Sequence, residues 1–148
     1  MDPISTGIGL AASLVTLITL VVSSCEALYD LSKRIQGAGE IVRELNDDLE
    51  SLQTLFSSIE QSAQLMGMAS IGQDLQRLWV IKSERMRQDL ESFATLLTGL
   101  SRLDNSNPSR CSRVKFRTVM SEKTIARYRQ KFMEHVNVLG LIQNCLNG

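Results

Sequence analysis

His135 is the only histidine in the chain, so any imidazole chemistry would have to start there. It falls on an apolar heptad position, and no serine or cysteine nucleophile has a recognisable motif around it. A buried histidine satisfied by one hydrogen bond is the expected reading. The acidic group Glu44, Asp47, Asp48 and Glu50 has the composition of a cation site, yet calcium loops alternate oxygen ligands around a sharp glycine turn. These acids lie on a helical heptad pattern instead and read as a solvated face. Cys25, Cys111 and Cys145 have no CxxC spacing and an odd count, which indicates neither a zinc site nor a disulfide framework. They fit a reducing, cytoplasmic compartment. With no phosphate-binding GxxxxGK[ST] and no HExxH, the sequence predicts no enzyme, no metal and no cofactor.

The remaining chemistry is that of surfaces. Arg110, Arg113, Lys115, Arg117, Lys123, Arg127, Arg129 and Lys131 alternate with Val114, Phe116, Val119, Ile125 and Phe132, a pattern that suits an anionic partner. The net charge of zero conceals a division: residues 1–109 hold 8 Lys plus Arg against 14 Asp plus Glu, and residues 110–148 hold 8 against 2. Either the basic end docks on the acidic outer face of the second helix, or it meets anionic lipid. Without a nucleic-acid motif, nucleic acid ranks below lipid and is not expected. Arg110, Arg113, Lys115, Arg117, Lys123 and Arg127 are the candidate lipid-contact residues.

The second surface is the stretch Pro3 to Cys25, PISTGIGLAASLVTLITLVVSSC, which carries no charge. A bilayer core needs roughly 20 apolar residues in helical form, so the stretch is long enough to span. Seven hydroxyls, Ser5, Thr6, Ser13, Thr16, Thr19, Ser23 and Ser24, and the glycines Gly7 and Gly9 dilute it. The run Leu14, Val15, Leu17, Ile18, Leu20, Val21, Val22 leaves no evident polar face and predicts a helix enclosed by others. A buried bundle helix is the preferred resting state, with a constitutive span second. A secretory signal is not expected: Asp2 precedes the stretch, and no Lys or Arg appears until Lys33. Ile4, Ile8, Leu10, Leu14, Val15, Leu17, Ile18, Leu20, Val21 and Val22 are the candidate membrane-inserting residues, with Gly7 and Gly9 permitting close approach or local unwinding.

Four helices are expected to position these surfaces within one domain, residues 1–148. Asp2-Pro3 is a good start for the first, which should run to about Ile35 and turn at Gln36-Gly37-Ala38-Gly39. Val42, Leu45, Leu49, Leu52, Phe56, Ile59, Ala63 and Met66 repeat at alternating spacings of three and four, a sustained heptad seam. The first helix is expected to pack on it. After Gly67 to Gly72, with Ser70 as a cap, a third helix reads through Leu75, Leu78, Trp79, Met86, Leu90, Phe93, Leu97 and Leu100, with a lapse near Lys82 and Ser83. Asp104 to Ser109, containing Pro108, predicts an exposed loop. The last helix, opened by Ser121 and Glu122, buries Ile125, Tyr128, Phe132, His135, Leu139, Ile142 and Leu146. The fold class is all-α: an antiparallel four-helix bundle with a long apolar N-terminal helix and room for one extra short helix.

Met1-Asp2-Pro3 leading into GIGLAASLVTLITLVVSSCEALYDL, followed after a glycine-containing turn by IVRELNDDLESLQTLFSSIE, resembles the fungal HeLo-like N-terminal domain of STAND-type (NLR-like) signalling proteins. The resemblance spans the chain and is most distinctive over residues 1–60. It implies a cell-death execution domain of fungal innate immunity and heterokaryon incompatibility, related to HeLo domains and to the four-helix domain of the necroptosis pseudokinase. It further implies oligomerisation on activation, an upstream sensor or amyloid-signalling partner, and movement from cytoplasm to plasma membrane, with the inserting segment at Ile4 to Val22. A non-lytic helical interaction module is the alternative.

Overall fold

The computed structural model describes residues 3–34, 39–67, 71–106 and 119–147, with side chains over 9–33, 39–67, 71–100 and 119–147. Four long helices account for most of them: α1 (Pro3–Arg34), α2 (Gly39–Met66), α3 (Gln73–Ser106) and α4 (Glu122–Asn147). The Asp2 cap, residues 35–38 of the first turn, Ser70 and residues 107–118 lie outside the described residues.

Each helix buries one heptad stripe. On α2 it is Val42, Leu45, Leu49, Leu52, Phe56, Ile59 and Ala63, all buried. Met66, expected to extend the seam, is exposed because it ends the helix. Gly67 follows with φ 80°, the left-handed conformation that terminates helices and that glycine adopts at no steric cost. On α4 every expected seam position is buried, and Ser121 caps it: its carbonyl accepts from Ile125 N (2.9 Å) and its Oγ from Thr124 N (3.3 Å).

α3 departs from expectation at three points. There is no lapse at Lys82-Ser83: the buried stripe is Gln76, Trp79, Ser83, Met86, Leu90, Phe93, Leu97 and Leu100, an unbroken heptad in which Gln76 and Ser83 occupy core positions. Gln76 fits because its Nε2 donates to Ile71 O (2.8 Å), and Ser83 because its Oγ donates to Val80 O (3.3 Å). Leu78 lies off that stripe and is exposed. The helix also continues through Asp104, Asn105 and Ser106, where a loop was expected.

The topology follows from which side chains meet. Arg129 near the start of α4 reaches Asp48 and Glu44 near the start of α2, and Gln143 and Asn147 near its end reach Ser62 near the end of α2. These two helices therefore run parallel. Tyr128 meets Ser92 and His135 meets Asp89, so α3 and α4 run antiparallel. α1 packs on both α2 and α3, not on the α2 seam alone, and Cys25, two to three turns before the end of α1, faces Glu50, about three turns into α2, so these two helices run antiparallel. Consecutive helices thus alternate in direction, and α2 and α3 stand at opposite corners of the bundle, each packed on α1 and α4.

Rings bind α3 to α4. Phe93 stands edge-on to Phe132 at 5.3 Å and 5.0 Å from Tyr128, whose hydroxyl meets Ser92 Oγ at 2.8 Å. Aromatic pairs of this kind add about 0.5–1.5 kcal/mol beyond the area they bury.

Candidate membrane-interaction site

α1 is stored on one side only. Leu10, Leu14, Leu17, Val21, Ser24, Leu28 and Leu31 are buried, again at heptad spacing, so this helix is not enclosed on all sides as its composition suggested. Ile18, Leu20 and Val22 are half-buried, and Val15 is 59% exposed. The side chains of Ile4 and Ile8 lie outside the described residues. Gly9 continues the helix without close approach, since a Cβ there would meet nothing within 4 Å.

The solvent face of α1 is polar only in composition. Thr16 Oγ1 donates to Ala12 O (3.0 Å), Thr19 Oγ1 to Val15 O (2.8 Å) and Ser13 Oγ to Gly9 O. Each hydroxyl spends its proton on a carbonyl of its own helix. Over residues 9–22 the outward surface is largely aliphatic and carries no charge, whereas exposed Ser23 makes no such bond and the charged Glu26, Asp30 and Lys33 follow it. Removing such a face from water breaks no donor's bond, whereas an unsatisfied hydroxyl would cost a few kcal/mol. Gly9–Lys33 is long and apolar enough to cross a membrane, and 28% of its most apolar stretch is buried. The heptad on the inner face hid this division, because hydroxyls satisfied within the helix look polar in a sequence.

The candidate cations are placed elsewhere. Lys123 and Arg127 are exposed on the first turns of α4, at the end of the bundle where α1 finishes. Arg110, Arg113, Lys115 and Arg117 lie outside the described residues. Arg129 realises the acidic-face alternative, with Nε donating to Asp48 Oδ2 (2.9 Å) and Nη1 to Glu44 Oε2 (3.4 Å). Lys131 Nζ stands 3.5 Å from Asp89 Oδ1.

His135 is buried with Nε2 2.6 Å from Asp89 Oδ2. No nucleophile accompanies it among these contacts. Burial pushes the Cys25 thiol up to about 11, with the Glu50 and Glu26 carboxylates adding to the effect, which makes it a packing group. Among the described residues no cluster of His, Cys, Asp or Glu could hold a metal ion.

The family described as the N-terminal domain of pigment biosynthesis cluster protein PigL matches residues 1–132. The chain belongs to this PigL N-terminal family. The match takes in α1, α2, α3 and α4 as far as Phe132, so the apolar first helix and the seams that store it fall within the family's extent. No curated protein and no solved structure matches the chain.

Proposed function

We propose that this PigL N-terminal domain is a membrane-targeting effector whose first helix exchanges its place in the bundle for lipid. The observation that carries the reading is the two-faced state of α1: a single buried stripe, beside an uncharged outer surface over residues 9–22 whose exposed Thr16 and Thr19 hydroxyls are satisfied within the helix. An apolar helix of this length is stabilised in either environment, by the α2 and α3 seams or by hydrocarbon. Once inserted, its small and hydroxyl residues suit close helix–helix contacts in lipid.

In this reading the domain rests in the cytoplasm and an upstream sensor or amyloid-forming partner clusters it. The clustered copies engage the anionic inner face of the plasma membrane. The HeLo-like resemblance of residues 1–60 supports cell-death execution by permeabilisation as the outcome, without catalysis. Exposed cations near an anionic surface contribute about 1 kcal/mol each, which assigns first contact to charge and commitment to α1.

The test is dye release from anionic vesicles by the purified chain, clustered through an appended inducible dimeriser. Release on clustering is expected. Neither binding nor release would overturn the proposal and leave the non-lytic interaction module in its place.

A further inference from the structure

α1 changes character at one point along its length. From Pro3 to Cys25 it carries no charge, and Glu26, Asp30 and Lys33 then follow on its outer surface. The inner stripe divides at the same place. Leu10, Leu14, Leu17 and Val21 form one buried block and Leu28 and Leu31 another, with Ser24 between them. The Ser24 Oγ is buried without a partner among the described residues, so this layer of the stripe adds no large apolar group and leaves a polar one unsatisfied.

The residues at that division spell a helix start inside a continuous helix. Ser23-Ser24-Cys25-Glu26 has the Ser-x-x-Glu spacing of a capping box, in which the serine hydroxyl accepts from the backbone N–H three residues on and the acid reaches back to the serine N–H. Ser13, Thr16 and Thr19 commit their hydroxyls to carbonyls one turn back, but exposed Ser23 does not. A helix beginning here would also carry Glu26 in its first turn, where the dipole favours an acid. Withdrawing the residues before it strands nothing: among the described residues, no side chain from Gly9 to Val22 bonds to another helix.

We infer that α1 carries a hinge at Ser23: on entry into lipid the segment ending at Val22 leaves the bundle, and the segment from Ser23 stays docked through Leu28 and Leu31 as a newly capped helix. The inference rests on the membrane-targeting reading and adds the point at which the helix parts. Length agrees with it. Pro3 to Val22 is 20 residues, about 30 Å of helix at roughly 1.5 Å per residue, the thickness of a hydrocarbon core. A span running on to Lys33 would carry Glu26 and Asp30 toward hydrocarbon, which disfavours charge. Releasing the second segment beside the membrane would expose Leu28 and Leu31 to water without lengthening the span.

The experiment uses the full chain with Cys111→Ser and Cys145→Ser, clustered through the inducible dimeriser, on vesicles of phosphatidylcholine and phosphatidylserine. One tether, a short bis-maleimide, joins Cys25 to Glu50→Cys, which face each other across α1 and α2. A second joins Ala12→Cys to Glu84→Cys, which line one groove between α1 and α3, in a Cys25→Ser background. Mass spectrometry confirms each link and circular dichroism the fold. The first tether should leave dye release within about twofold of the untethered parent, and the second should lower it at least tenfold. Loss of release with both tethers would mean that α1 leaves whole, which overturns the hinge and leaves the membrane reading standing. Release that survives both would place insertion outside α1 and overturn the hinge as well. An untethered parent that releases nothing would remove the membrane reading with it. The cap has its own test: Ser23→Ala should need about fivefold more protein for half-maximal release, the effect of losing an N-cap, without lowering the urea midpoint. Ser23→Asn, which can cap, should stay within about twofold of wild type, and equal responses to the two substitutions would overturn the capping role.

Discussion

Asp89 serves two residues of α4 at once, His135 through one carboxylate oxygen and Lys131 through the other. Truncating it leaves a buried imidazole nitrogen without its partner, and a stranded polar group of that kind costs about 1–3 kcal/mol. Asp89→Ala should therefore lower the urea midpoint by that amount at an unchanged slope, and a shift below about 0.5 kcal/mol would show the contact to be dispensable. Cys25 offers a check by reactivity. The thiolate is the reacting form, and a folded-state pKa raised to about 11 keeps Cys25 protonated well above neutrality. Its alkylation at pH 8 should lag behind that of exposed Cys145, and its rate should keep climbing past pH 9 toward about 11. Residue-resolved mass spectrometry reads both, and unfolding in urea should abolish the lag.

At the scale of the helix, heptads dominated by apolar residues were legible and those interrupted by small polar ones were not. α2 and α4 bury nearly every residue that spacing alone selects. The α3 register was obscured because Gln76 and Ser83 bond to nearby backbone and pass as core residues, while exposed Leu78 imitated one. In α1 the difficulty was the reverse: apolar residues surround the helix, so periodicity could not say which stripe is stored. Ser24 marks that stripe's weak point. It is 1% exposed, and its Oγ finds no partner among the described residues, although Ser13, Thr16 and Thr19 are satisfied by carbonyls of their own helix. Ser24→Ala removes a stranded hydroxyl and improves helix propensity. It should stabilise the bundle by about 1 kcal/mol in chemical denaturation, and a destabilisation would mean that the hydroxyl has a partner after all.

For the whole molecule, the proposed function turns on how firmly the bundle would hold α1 against the pull of a membrane. The charge division between residues 1–109 and 110–148 was visible from composition, but the parallel pairing of α2 with α4 was not, since it depends on long-range contacts such as Ser62 with Gln143 and Asn147. If release is a competition between two apolar hosts, weakening the protein host should favour lipid without any change to α1 itself. Met86 is fully buried on the α3 stripe, one turn beyond Ser83 and beside the groove that α3 shares with residues 9–17 of α1. Met86→Ala should cost about 2–5 kcal/mol through the cavity it leaves. Even about 2 kcal/mol changes an equilibrium by roughly 30-fold. A variant that remains folded at 20 °C by circular dichroism should therefore release dye from anionic vesicles at lower protein concentration than wild type, despite its lower melting temperature. A stored helix yields this opposition of stability and activity. An interaction module that needs its bundle intact would lose both together, so the sign of the change in dye release at matched protein concentration decides between them.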